Sequence, residues 1–126
     1  MPHEIIHVPG IADPVLPLSH AVRVGPFLFV SGQASVDEQG QIVADSFEGE
    51  MRRTMENIKR VLAAAGMTLA DVVQVRSYVD DRANLSEYNH LYREYFPNNF
   101  PARTTIMNCL ADVVKFEMDV VAHKES

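Results

Sequence analysis

Two periodicities divide the chain. Between residues 46 and 65, Met51, Met55, Ile58, Leu62 and Ala65 recur every three or four positions. That spacing lays one apolar stripe along a helix. Arg52, Glu56, Lys59 and Arg60 fall off the stripe and read as its solvated face. Asp45 or Ser46 is placed to cap the start, and Glu48 suits the positive end of the helix dipole. Gly66 stands where a left-handed residue closes a helix. Near the other end, Val114, Phe116, Met118 and Val120 alternate with Lys115, Glu117, Asp119 and Val121. A period of two predicts a half-buried strand over residues 113–122 with one polar-rich face.

The remaining segments fill in the order. Strands are predicted at 3–8, 20–24 and 27–31, the last two flanking a turn at Gly25-Pro26. The third ends in Ser31-Gly32-Gln33, where Gly32 can let another group approach the backbone closely. A hairpin-like excursion follows, turning at Glu38-Gln39-Gly40. Residues 72–79 read as a strand, and 85–96 as a helix with Leu85, Tyr88, Leu91, Tyr92 and Tyr95 on its apolar side. Residues 102–109 read as another strand. The sum is a single α+β domain over residues 1–126, ordered β-β-β-α-β-α-β-β. Alternating helices and strands in the middle require a partly parallel, hence mixed, sheet with both helices on one face. The other face needs a cover, for which a second subunit is the natural candidate.

Composition narrows the function. The 126 residues carry a formal net charge of -6, which argues against nucleic acid as the main partner. No run of residues is long and apolar enough for a membrane span, and the N-terminal MPHEIIHVPG lacks the basic start and apolar run of a signal peptide. One cysteine, Cys109, rules out an internal disulfide and suits a reducing, cytoplasmic setting. The five histidines show no metal-ligand spacing. There is no phosphate-binding glycine loop, and Ser31 lies in SGQ, not in a nucleophile elbow. Neither a metal nor an organic cofactor is expected.

Arg103 and Glu117 remain. Both sit at polar positions of predicted strands. A guanidinium fork suits a substrate carboxylate, and a glutamate on a pocket wall can position water and move a proton. A second reading stays open: in a hairpin centred on Leu110 the two would face each other as a cross-strand ion pair.

The stretches FLFVSGQ (27–33), ENIKRVLAAAG (56–66), DVVQVRSYVDD (71–81), YNHLYREYF (88–96), FPARTTI (100–106) and KFEMDVVA (115–122) together resemble the RidA/YjgF family of imine deaminases. The resemblance covers nearly the whole chain, in order. It implies a chorismate-mutase-like fold and a homotrimer with clefts between subunits. It also implies a last strand inserted between the third and fourth, which removes the hairpin pairing. By position, it implies that Arg103 grips the substrate carboxylate and Glu117 orients the attacking water. Ser31, Gly32 and Asn89 line the cleft, and Thr105 shapes its wall. Two departures stand out: Leu18 where the family commonly has a tyrosine, and Thr105 where it often has a cysteine. The implied reaction hydrolyses small 2-imino acids, formed from 2-aminoacrylate-type enamines, to 2-keto acids and ammonia. Rival roles are a non-catalytic module binding small carboxylates, a ribonuclease or translation inhibitor, and a chaperone-like surface.

Overall fold

The computed structural model describes residues 3–125. Strands β1 (Glu4–Ile6), β2 (Ala21–Val24) and β3 (Phe27–Ala34) precede helix α1 (Phe47–Ala64). Strand β4 (Val72–Val79), helix α2 (Leu85–Tyr95), and strands β5 (Ala102–Met107) and β6 (Phe116–His123) complete the order, which matches the one the sequence predicts. The sheet runs β1-β2-β3-β6-β4-β5. Strands β4 and β5 are parallel, joined through α2, and β6 is antiparallel to both of its neighbours. Inserting the last strand between β3 and β4 separates it from β5. The hairpin pairing of Arg103 with Glu117 therefore does not form: Arg103 sits beside Val75, while Glu117 sits between Ala34 and Tyr78.

Element limits differ from expectation for identifiable reasons. The first strand keeps only three of six residues. The third continues through Ser31 and Gly32 to Ala34, with an irregular register between Val30 and Gln33. The last starts at Phe116, not at 113, because the chain before it is committed elsewhere. The Lys115 amide donates to Glu50 Oε1 at 2.8 Å, and the Asp80 carboxylate accepts the amides of Leu110 and Asp112. Asn108, Ala111 and Asp112 take positive φ, so the connection from β5 is a compact turn that cannot extend either strand.

Both helices cover one face of the sheet. The α1 stripe Met51, Met55, Ile58 and Leu62 packs in one core with Leu28, Val30, Val75, Val79, Phe116, Met118 and Val120. Removing each such side chain from water contributes roughly 1.5–3 kcal/mol. Ser46 caps α1 by accepting the Gly49 amide at 3.1 Å, which settles the choice between Asp45 and Ser46.

Strand parity fixes the opposite face. Ile5, Val22, Val24, Phe27, Phe29 and Val121 project there at one end, and Glu117, Asp119, Tyr78 and Arg76 at the other. Nothing among the described residues covers it: Phe27 and Phe29 remain 41% and 47% exposed. Among the described residues, no helix is long and apolar enough to cross a membrane.

Candidate functional site

The arginine half of the site is built by β5 and α2. Pairing with the buried Val75 turns Arg103 to the helix-covered side, at the open edge of the sheet. There its guanidinium carbon lies 5.1 Å from the Tyr88 ring centroid and 4.8 Å from that of Tyr92. These distances are within reach of cation–π attraction. Asn89 Oδ1 accepts a hydrogen bond from Nη1 at 2.8 Å. The described partners of Arg103 are thus one neutral amide oxygen and two ring faces, with no carboxylate among them. The charge is oriented but not neutralised.

Around it opens a cleft of about 280 Å³ lined by Asn89, Tyr92, Arg93, Phe100, Pro101 and Arg103. The Tyr92 hydroxyl is the one buried side-chain polar atom among the described residues without a hydrogen-bond partner. Burial, followed by the neighbouring Tyr88, pushes its pKa up to about 12, so it stays a neutral donor. Thr105 lies on the same side, its hydroxyl 3.4 Å from that of Tyr88, which in turn donates to Ser77 Oγ at 2.7 Å.

The glutamate half lies on the other face. Glu117 is half-buried on β6, directly over Gly32. A Cβ added at Gly32 would stand 3.1 Å from the Glu117 carboxyl carbon and closer still to one of its oxygens. The glycine therefore makes room for a close approach of this carboxyl; its φ does not demand it. Burial first, and the charge of Asp119 second, hold the Glu117 carboxyl above the ordinary glutamate range. A proton-holding carboxyl suits a group that both takes and gives a proton.

Gly32 also lines a cavity of about 290 Å³ with Leu18, His20, Gln33 and the apolar residues of the 11–16 loop. Ser31 is already committed. Its hydroxyl donates to the Ser19 carbonyl at 2.5 Å and its amide to that of His20 at 2.9 Å. It holds the loop bearing Leu18 against β3.

The residues predicted from sequence thus fall into two groups. Arg103, Thr105 and Asn89 share the helix-side edge, while Glu117 and Gly32 share the open face. One chain does not bring the groups together. Spacing alone places Tyr88 and Tyr92 on the apolar side of α2, and the fold makes them the cradle of Arg103. The signal available was two tyrosines four residues apart, flanking Asn89 and facing a strand that carries a lone arginine. Among the described residues, no group of three or more metal-ligating side chains could hold an ion.

Fold and site together describe a small mixed-sheet domain carrying an anion-ready arginine and a carboxyl of raised pKa. Comparison with known proteins gives the class. Residues 10–124 match the family model described as Endoribonuclease L-PSP. The chain belongs to this family, the RidA/YjgF proteins. It is 39% identical over 127 residues to a RutC family protein of Pyrococcus abyssi, covering 99% of this chain and all of the relative. It is 31% identical to a 2-iminobutanoate/2-iminopropanoate deaminase of Dermatophagoides farinae, over 83% of each chain. Among solved structures, the Rid family protein YyfA of Yersinia pestis superposes with a TM-score of 0.89 at 28% identity, covering 98% of this chain and all of that one. The TdcF protein of E. coli, with bound serine, superposes with a TM-score of 0.86 at 26% identity, over 97% and 99% of the two chains. The fold is the chorismate-mutase-like fold of these neighbours.

Proposed function

We propose that the protein hydrolyses small 2-imino acids to 2-keto acids and ammonia, as a homotrimer whose sites lie between subunits. The observation carrying this reading is the separation of Arg103 and Glu117 onto opposite faces. Each belongs to an unfinished half-site, and a second copy can bring the arginine edge of one chain to the open face of another. The deaminase relative supports the reaction class, and the serine on the TdcF protein supports a small ligand bearing a carboxylate.

In this reading Arg103 grips the carboxylate through its fork, and Asn89 and the two tyrosine faces hold the fork in place. Glu117, ionised, takes a proton from water as the water oxygen bonds to the imine carbon. The resulting carboxylic acid then protonates the amine nitrogen. With the imine entering protonated, that step gives an ammonium group; the C–N bond breaks, ammonia departs, and the Glu117 carboxylate takes the hydroxyl proton as the C=O bond forms. Gly32 leaves room for the carboxyl, and Thr105 shapes the wall. No metal or organic cofactor enters these steps. A cytoplasmic setting suits the exposed thiol of Cys109.

The test is ammonia and keto-acid release from imines generated in situ, with two single variants and their mixture. Arg103→Ala and Glu117→Gln should each lose most of the activity, and co-refolded mixtures should regain part of it, because some clefts then receive both intact groups. Turnover in neither the wild type nor the mixtures would leave only a carboxylate-binding module. Turnover without recovery on mixing would place the whole site in one chain. RNA cleavage, which the family description raises, has less support. The chain carries a net charge of -6, and among the described residues the arginine cleft has Arg93 and Arg103 alone to meet phosphates.

A further inference from the structure

The open face carries a second carboxylate that the reaction above does not use. Asp119 follows Glu117 by two residues on β6, so both project from the same face. It is clamped from β4: Arg76 Nε donates to Oδ1 at 2.9 Å, and the Tyr78 hydroxyl donates to Oδ2 at 2.7 Å. Strand register builds the clamp, since Arg76 is the direct neighbour of Asp119 and Tyr78 that of Glu117.

The phenol cannot readily lose its proton in this position. Burial, then the hydrogen bond to Asp119, pushes its pKa up to about 12. The clamp therefore holds Asp119 as an oriented anion beside Glu117. The groups facing Glu117 are few. On its own strand they are Asp119 and, further along, His123; on β4 they are Tyr78 and Arg76; on β3 its neighbours Gly32 and Ala34 carry no charge.

We propose that Asp119 is a positioning residue for proton transfer: clamped by Arg76 and Tyr78 on the same face, it tunes the pH range over which Glu117 holds and releases its proton. Its effect adds to that of burial. The role rests on Glu117 being the proton carrier of the proposed deaminase, but its effect on Glu117 is measurable without turnover. An anion fixed on the same face disfavours a second one, so Glu117 keeps its proton to higher pH than it would alone. Arg76 opposes this by partly cancelling the Asp119 charge. The two neighbours therefore act with opposite signs, which a purely structural clamp would not do.

The experiment is a carboxyl-detected NMR titration of Glu117 in the intact protein with ¹³C-labelled glutamate, the signal being assigned by its loss in Glu117→Gln. Asp119→Asn should move the Glu117 midpoint to lower pH. Arg76→Gln, which uncovers the Asp119 charge at an exposed position, should move it to higher pH. If the protein turns over imines, the acidic limb of kcat should shift in the same two directions. Should Asp119→Asn fail to fold, Asp119→Ser takes its place. A lowered midpoint supports the proposal; an unmoved or raised one overturns it. Midpoints that move the same way in both variants, or do not move, also overturn it. NMR shifts of opposite sign in a protein that releases no ammonia would support the electrostatic coupling and refute the deaminase reading separately.

Discussion

Arg103 owes its place to neighbours that align it without satisfying its charge. A guanidinium between two tyrosine faces and one amide oxygen still offers donors to a planar anion. Arg103→Ala is expected to weaken 2-keto-acid binding by about 2–5 kcal/mol, a range typical of a desolvated charge pair. Arg103→Lys keeps the charge, loses the fork, and should bind weakly as well. Neither should lower the melting temperature much, because the side chain is exposed and pairs with no carboxylate among the described residues. Calorimetric titration and thermal melts on both variants check this. A large loss of stability with affinity retained would make Arg103 structural.

Glu117 carries the opposite balance. Its folded-state pKa lies above its unfolded value, so its contribution is full below the unfolded pKa and is lost as pH rises through the folded one. Glu117→Gln removes that loss. The variant should melt no earlier than the wild type at neutral pH, and its advantage should grow as pH rises through the carboxylate range. Its turnover should fall by about 10²- to 10⁴-fold. Melting curves across that range, set beside the ammonia assay, test both halves of the statement.

At the scale of elements, the irregular stretch of β3 decides how the glutamate half-site is presented, and the start of α1 bears on stability. Gly32 has ordinary φ, so alanine there adds no backbone strain, and its Cβ meets only the flexible end of Glu117. Gly32→Ala should leave the fold intact, push the carboxyl aside, and cost about 10²-fold in kcat, as small displacements of a catalytic group do. Unchanged kcat would show that the close approach is incidental. The Ser46 cap acts on stability alone. Ser46→Ala frees the Gly49 amide and should cost about 1 kcal/mol in denaturant unfolding.

The whole molecule is shaped by a sheet covered on one side only. Phe27 and Phe29 stand on the bare face with Ile5, Val22, Val24 and Val121, and burying each large side chain there would contribute roughly 1.5–3 kcal/mol. A species of three times the 14.1 kDa chain is expected in sedimentation equilibrium at micromolar concentration. Phe29→Asp should shift it towards monomer, since a charge would have to be desolvated at the contact. A wild-type monomer would remove the composite site along with the trimer.

The sequence by itself determined the elements whose side chains repeat with the backbone. The α1 stripe and the alternation along β6 are local patterns; α1 forms where the periodicity places it, and β6 does so from Phe116 onward. The order of elements followed from them. Arg103 and Glu117 were legible too, as charges at the polar positions of strands, and the family motifs gave the insertion of the last strand. Two things were decided only by the folded chain. One is the company each group keeps. Tyr88 and Tyr92 read as core because a helical stripe has the same spacing whether it meets leucines or a guanidinium, and Asp119 meets Arg76 and Tyr78 only through the register of β6 on β4. The other is the side of the sheet. Parity within a strand is local, but which face it denotes depends on pairing between strands distant in sequence. That pairing set Arg103 with the helices and Glu117 on the bare face, a separation that no spacing along the chain encodes.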